Sequence, residues 1–195
     1  MLLKEKENRF INTEKIEIAI KMIIEAIGED VNREGLIETP KRVAKMYKEI
    51  FSGINQDPKN NLLKTFEEEY KGLVLVKNIH FHSMCEHHLL PFWGEAHIGY
   101  IPTENKIVGL SKLARTLETI ARRPQTQERI TYILLNTIIE VLNPTGAFVI
   151  LEAEHMCMAM RGINKHGSKT TTSLFYGIFE DDELLKKDVL SSIYG

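Results

Sequence analysis

The sequence contains few cysteines and little net charge of either sign. Its two cysteines, Cys85 and Cys157, lie far apart among 195 residues. In a reducing compartment this pair argues against a structural disulfide and for thiols, ligands or nucleophiles. The 25 basic and 27 acidic residues leave a net charge of −2, which lacks the basic excess typical of general nucleic-acid binders. An anionic ligand must therefore meet a local cluster of positive charge.

Long apolar runs are also missing. No stretch approaches the roughly 20 apolar residues that a membrane-spanning helix needs. The first ten residues mix both charges, unlike the apolar run of a signal peptide. We therefore expect a cytoplasmic protein with neither membrane nor nucleic acid as a partner. Hydrophobic residues make up 43% of the chain, enough for one main domain with a small helical appendage.

Apolar periodicity and capping residues predict an α+β chain. A helical pair is expected over 13–27 and 39–52, with Thr39 as the second N-cap and Pro40 in the first turn. Four strands are expected over 73–79, 93–101, 147–158 and 170–179. Three further helices are expected: one from a Ser111 cap to Arg123, one over 126–142 and a terminal one over 181–192. The order is β-β-α-α-β-β behind the helical pair.

Histidine and cysteine concentrate in two segments, too densely for core packing. The first holds His80, His82, Cys85, His87 and His88, and the second holds His155 and Cys157. Cys85 and His88 are three apart, a spacing at which a turn points thiolate and imidazole at one tetrahedral metal. His155 and Cys157 are two apart, so on an extended strand they would project from the same face.

The number of ligands decides which kind of zinc site these residues form. A catalytic zinc uses three protein ligands and keeps one position open, whereas a structural zinc uses four. If Cys85, His88 and Cys157 bind the metal, His87 and His155 remain beside it as general acid and base. A closed Cys/His site and a metal-free pair of thiols are the alternatives. Three other histidines are interpreted as strand or surface residues: His80, His82 and His97.

Two helix starts carry possible ligand contacts. Ser111, Lys112 and Arg115 lie where bare helix amides and positive charge can bind phosphate, although a solvated helix face is the alternative. Arg161 adds positive charge near the second Cys/His segment. Glu128 can accept two hydrogen bonds from guanine, although acidic residues are also common in the first turn of any helix.

Several segments, in order, resemble the signature segments of the GTP cyclohydrolase I family: REGLIETPKRVAKMY, CEHHLLPF, IVGLSKLAR, RRPQTQER, HMCMAMRG and SKTTTS. The resemblance covers about residues 13–193. It implies a tunnelling fold, a four-stranded antiparallel sheet with two helices on one face. It also implies an N-terminal helical segment over 1–60 and a catalytic domain over 61–195. The subunits would form a homodecamer of two stacked pentamers, with active sites at subunit interfaces.

The same resemblance implies a role for each site residue. Cys85, His88 and Cys157 would bind Zn²⁺, and His87 and His155 would transfer protons. Glu128, with Gln127, would read the guanine of GTP. Six residues would surround the ribose triphosphate: Ser111, Lys112, Arg115, Arg161, Arg42 and Lys45. Some bacterial relatives carry a lysine where this chain has Ala159, which affects one accessory phosphate contact.

The implied reaction opens the purine ring of GTP at C8, releases formate and rearranges the ribose to give 7,8-dihydroneopterin triphosphate. It is the first step of tetrahydrofolate or pterin biosynthesis. Three other readings fit the residues less well. A nitrile reductase of the same fold would use a cysteine nucleophile without needing zinc. A nucleoside deaminase would need an H-x-E and P-C-x-x-C signature, which this sequence lacks. A zinc-stabilised interaction module would leave the purine and phosphate segments without a role.

Overall fold

A computed structural model describes residues 10–195, which separate into an N-terminal unit ending at Gln56 and a larger unit over Asp57–Gly195. The first ten residues, which were interpreted above as unlike a signal peptide, lie almost wholly outside the described residues. Within 10–195, no helix combines the length and the apolar character that crossing a membrane requires.

The N-terminal unit is a pair of helices, as expected. Helix α1 spans Thr13–Ala26, and the Asn12 side chain caps it by accepting from the Lys15 amide at 2.8 Å. Helix α2 spans Thr39–Ile50, with Pro40 in its first turn. Thr39 is not the N-cap that the sequence predicts, because Glu38 occupies that position and the Thr39 hydroxyl donates back to the Gly35 carbonyl.

The larger unit is built on strands of very different lengths. They are β1 (Thr65–Glu67), β2 (Val74–Cys85), β3 (Pro91–Ile101), β4 (Lys106–Val108), β5 (Pro124–Gln125), β6 (Gly146–His155) and β7 (Lys169–Gly177). The main sheet has the order β5-β2-β3-β6-β7, and β1 pairs with β4 separately. All neighbours in the main sheet are antiparallel except β5, which runs parallel to β2.

Five helices belong to the same unit: α3 (Leu110–Ala121), α4 (Gln127–Leu142), α5 (Met156–Ala159), α6 (Ile178–Asp181) and α7 (Glu183–Tyr194). The α+β class is therefore confirmed. The sheet has five strands instead of the expected four, because the connection between α3 and α4 adds β5. Ser111 is not the cap of α3: Gly109 is, and Ser111 lies in the first turn.

The alternation of side chains along the strands gives the sheet two covered faces. On one face, Ala147, Val149 and Leu151 of β6 belong to the main core, together with residues of α3 and α4 such as Leu117 and Leu134. On the other, Phe148 and Ile150 pack with Phe179 of α6 and Val189 of α7. The first half of β6 is therefore covered on both faces, whereas Glu154 and His155 at its end are only half-buried, and the candidate site lies at that end.

Candidate active site

A tight hairpin loop carries the first Cys/His segment. Cys85 is the last residue of β2, and β3 begins at Pro91. The Cys85 amide donates to the Leu90 carbonyl and the Leu89 amide donates to the Cys85 carbonyl, each at 2.8 Å. Leu89 adopts a positive φ of 52°, which lets the chain reverse over a short loop. The turn leaves His87 and His88 exposed beside a buried Cys85.

The second segment leaves the sheet immediately after His155. In the β3–β6 ladder, His155 is the partner of Phe92. The next partner would be Pro91, which has no N–H with which to extend a ladder. The chain instead turns into α5, and Cys157 lies in this helical turn. The expectation that His155 and Cys157 share one face of an extended strand is therefore wrong, because β6 ends before Cys157.

The two segments meet at three side chains. One potential ligand atom from each of Cys85, His88 and Cys157 lies within 4.8 Å of the other two. Both thiols are free. Burial raises the pKa of Cys157, and the neighbouring Cys85 thiol raises it further. Two sulfur donors and one imidazole form the ligand set that suits a tetrahedral zinc ion, and three protein ligands leave a fourth position for water or substrate.

His155 lies beside this group with its ring fixed on two sides. Its Nε2 lies 2.8 Å from Gln127 Oε1. The ring stacks on Phe92 with centroids 4.6 Å apart and planes 5° apart. Burial lowers the pKa of His155, and the negative charge of Glu128 opposes this shift. Glu128 is thus close enough to act electrostatically on His155, but burial has the larger effect and keeps a neutral imidazole available near neutral pH.

Two further predicted residues surround His88. The His87 ring meets it edge-on, with centroids 6.5 Å apart. Arg161 Nη1 donates to His88 Nε2 at 3.0 Å. Arg161 was expected to contact phosphate. Its contact with His88 brings positive charge to the edge of the candidate metal group. The sequence contained no signal for the pairing, because the two residues belong to separate loops.

An ion pair missed by sequence reasoning also joins the site. Arg129 of α4 bonds both carboxylate oxygens of Glu86, with Nη2 at 3.0 Å from Oε1 and Nη1 contacting Oε2. This hydrogen bonding holds the pKa of Glu86 below its usual value. Glu86 follows Cys85 directly, and its amide donates to the Gln125 carbonyl at 3.0 Å. The loop is therefore attached to the start of α4 through main chain and side chain.

The side chains in the first turn of α4 differ in their exposure to solvent. The Thr126 side chain caps the helix by accepting from the Arg129 amide. Gln127 is only 1% exposed and its amide bonds inside the protein. Glu128 is exposed. Of the two residues expected to contact guanine, only Glu128 has a side chain open to a ligand.

The expected phosphate residues of α3 lie away from this end of the sheet. Ser83 of β2 donates to the Ala121 carbonyl at 2.7 Å, so the last turn of α3 is the one near the candidate metal group. Lys112 precedes Ala121 by nine residues, which corresponds to about 14 Å along a helix. Ser111 and Arg115 are exposed. Arg42 and Lys45 are exposed on α2 of the N-terminal unit.

The sequence profile of the family described as GTP cyclohydrolase I matches residues 16–194. This chain belongs to the GTP cyclohydrolase I family. A protein of Lysinibacillus sphaericus named GTP cyclohydrolase 1 is 60% identical over 179 residues, which cover 92% of this chain and 95% of that protein. One of Geobacillus sp. with the same name is 57% identical over 185 residues, covering 95% and 98%.

Solved structures add a weaker likeness. The apo form of the archaeosine synthase QueF-Like matches 54% of this chain with a TM-score of 0.42 and 16% sequence identity. The matches to the two relatives above cover nearly the full length of both proteins. Membership of the GTP cyclohydrolase I family rests on these matches and on the family profile. The chain is accordingly an enzyme of this family.

Proposed function

We propose that this chain converts GTP into 7,8-dihydroneopterin triphosphate and formate, using a zinc ion bound by Cys85, His88 and Cys157. The observation that carries the proposal is the meeting of these three donors, from two distant segments, beside the half-buried His155. Membership of the family supplies the substrate, because the relatives are named for GTP.

The donor set supports zinc in a catalytic role. Two thiolates and one imidazole give three protein ligands, the number typical of a catalytic zinc. When bound, zinc supplies a positive charge and a water whose pKa is lowered toward about 7, which is the nucleophile that attack at purine C8 requires. Arg161 lies at the edge of the group and is a proposed contact for substrate phosphate.

His155 and His87 are the proposed proton-transfer residues. His155 has a pKa lowered by burial, so its neutral form can accept a proton near pH 7 and return it to a purine nitrogen. His87 is exposed next to His88 and can exchange protons with solvent. Ring opening at C8–N9 and loss of formate both need such transfers, and two histidines beside one metal supply them.

Glu128 is the proposed guanine reader. It is exposed in the first turn of α4 and acts electrostatically on His155, so a base that its carboxylate holds would lie beside the proton-transfer residue. An ionised carboxylate only accepts hydrogen bonds and therefore matches the N1–H and amino donors of guanine.

The tunnelling fold and a ring-shaped oligomer complete the proposal. Ser111, Lys112 and Arg115 form a group that lies about 9–15 Å along α3 from Ala121, the residue that contacts β2. A triphosphate held by that group and a purine held at Glu128 are more easily combined if the two come from neighbouring subunits. The separation therefore supports active sites at subunit interfaces, as a homodecamer of two stacked pentamers would provide. Arg42 and Lys45 remain predicted phosphate contacts.

The test is product analysis with GTP as substrate. Purified chain loaded with one zinc per subunit should release one formate per dihydroneopterin triphosphate formed. Cys157→Ser should lose both zinc and turnover, whereas His155→Ala should keep zinc and lose roughly 10²–10⁴-fold in turnover. His80→Ala, an exposed strand histidine, is the matched control that keeps both. Formate-free consumption of GTP, or full activity of Cys157→Ser, would overturn the proposal.

A further inference from the structure

Gln127 is a buried polar residue whose expected contact with substrate does not match its surroundings. Its side-chain nitrogen Nε2 donates to the Leu151 carbonyl at 3.0 Å and to the Thr170 carbonyl at 2.8 Å. The Thr172 hydroxyl lies 3.2 Å from the same nitrogen. These partners belong to β6 and β7, so the amide is enclosed by the sheet. Its oxygen Oε1 faces His155 Nε2 at 2.8 Å.

The two carbonyl partners determine which way round the amide lies. A backbone carbonyl can only accept a hydrogen bond, so the atom facing Leu151 and Thr170 must be the NH₂ group. The opposite atom is then the amide oxygen, which can only accept. The assignment of oxygen and nitrogen, which is ambiguous for an isolated glutamine, is thus settled by the strands.

The neighbouring threonines agree with this orientation. Thr131 Oγ1 donates to the Gln127 main-chain carbonyl at 3.0 Å, so its proton is used there. Thr131 and Thr172 hydroxyl oxygens lie 2.7 Å apart, and Thr172 is therefore the donor of that pair. Thr172 Oγ1 keeps lone pairs that can face the Gln127 amino group. The network is satisfied only with the amino group toward the sheet.

The orientation of Gln127 determines where His155 carries its proton. Since Gln127 Oε1 only accepts, His155 Nε2 must be protonated to make the 2.8 Å contact. A neutral imidazole carries one proton, so Nδ1 is left as the unprotonated nitrogen. Stacking on Phe92 restrains the plane of the ring in which Nε2 meets Gln127.

We propose that Gln127 is a positioning residue that holds His155 as the Nε2–H tautomer and so leaves Nδ1 as the nitrogen without a proton. Gln127 then acts through His155 and does not read guanine with its side chain. The inference rests on the proposed function for the role of His155. The tautomer itself follows from the contacts of Gln127 and does not depend on that role.

The direct test is a spectroscopic one on the zinc-loaded full chain. Histidine labelled with ¹⁵N, observed by solid-state NMR near pH 8, distinguishes a protonated from an unprotonated ring nitrogen. A difference spectrum against His155→Asn isolates the signals of His155. We expect a protonated Nε2 and an unprotonated Nδ1. The opposite tautomer would overturn the inference even if GTP turnover were normal.

A variant connects the tautomer to turnover. Gln127→Met has a similar length but no hydrogen-bonding groups, so His155 should show a mixture of tautomers. We expect kcat for formate release to fall about 10²-fold, with KM for GTP within twofold and zinc content unchanged. Thr137→Val also removes a buried polar group of α4, one that donates to the Ile133 carbonyl of its own helix, and should change neither kcat nor spectrum.

The outcomes separate the inference from the proposed function. A raised KM with an unchanged kcat in Gln127→Met would mean that Gln127 binds substrate, and the inference would be wrong. Should Gln127→Met fail to fold, the tautomer measured in the unaltered chain decides alone. Absence of formate release from the unaltered zinc-loaded chain would refute the proposed function while leaving the measured tautomer of His155 as it is.

Discussion

Glu86 and Arg129 join the loop of the proposed metal ligands to the first turn of α4 through a two-pronged ion pair. Glu86 lies between Cys85 and His87, and Arg129 follows Glu128. The pair therefore couples a proposed ligand, a proposed proton-transfer residue and the proposed guanine reader. Residues that orient metal ligands from outside typically change metal affinity 10–100-fold when they are replaced.

Replacing Arg129 should loosen this loop. Arg129→Met removes both hydrogen bonds to Glu86 while keeping an apolar stem on the helix. We expect zinc affinity, measured by competition with a chromogenic chelator, to fall about tenfold, because the ligands lose their fixed geometry. Lys106→Met breaks an exposed surface pair with Glu104 and should leave affinity unchanged. Equal affinities for all three proteins would show that the ion pair has no part in the site.

Glu128→Gln should weaken recognition of guanine without affecting the metal. A glutamine offers one acceptor oxygen and presents an amino group to the second guanine donor, leaving that donor unpaired. Such a loss costs about 1–3 kcal/mol, so GTP affinity should fall tenfold or more at full zinc occupancy. Glu140→Gln, an exposed change on the same helix, serves as the control. Unchanged affinity by calorimetric titration would leave Glu128 only a role in stabilising the helix start.

The phosphate contacts predict a difference between GTP and guanosine. Lys112→Met and Arg115→Met should each raise KM for GTP about tenfold, since charge-assisted hydrogen bonds contribute about 1.5–3 kcal/mol. Guanosine should turn over poorly with the unaltered enzyme and should be no worse with either variant. An equal kcat/KM for guanosine and GTP in the unaltered enzyme would refute a phosphate role for these residues.

His97 predicts a dependence of stability on pH that is independent of the site. Its side chain is 2% exposed, with the Asn78 amide donating to Nδ1 and the Tyr194 ring 5.9 Å away. Burial lowers the pKa of His97 below 6.5, and this effect outweighs the attraction of two facing carboxylates. The charged groups that act on it are Glu152, Glu95 and Lys77.

The direction in which the free energy of unfolding changes with pH follows from proton uptake. As pH falls below about 6.5, the unfolded chain binds a proton at His97 more readily than the folded chain does, so the free energy of unfolding decreases. This one group contributes a slope of at most about 1.4 kcal/mol per pH unit. Urea unfolding between pH 7.5 and about 5 should give a shallower pH dependence for His97→Gln than for the exposed-site control His80→Gln. Parallel curves would contradict a buried neutral His97.

The spacing of residues in the sequence predicted that Cys85 and His88 lie together, but it did not predict how Cys157 is placed. A Cys-x-x-His pair needs only a turn to converge, and the loop after β2 is such a turn. The position of Cys157 depends on where β6 stops pairing, and that depends on Pro91 of a different strand. A local pattern predicts that a strand exists, but not the residue at which its pairing with the neighbouring strand ends.

Gln127 shows the same limit for side chains. It stands beside Glu128 in the sequence, which favoured a shared role at the substrate. In the fold, one residue points into the sheet and the other to solvent, because successive helix positions face different directions. The partners that enclose Gln127 come from β6 and β7, at distances in sequence where no spacing rule applies. The Glu86–Arg129 pair escaped prediction for the same reason.

The most direct test of the account is a zinc titration of the metal-free chain with GTP turnover recorded at each point. The three proposed ligands predict that formate release rises in proportion to zinc and reaches a plateau at one equivalent per subunit. The same titration of Cys85→Ser should give no activity at that ratio. Full turnover of the chelated, zinc-free chain, or a plateau unrelated to one zinc per subunit, would contradict the central claim that Cys85, His88 and Cys157 form a catalytic zinc site.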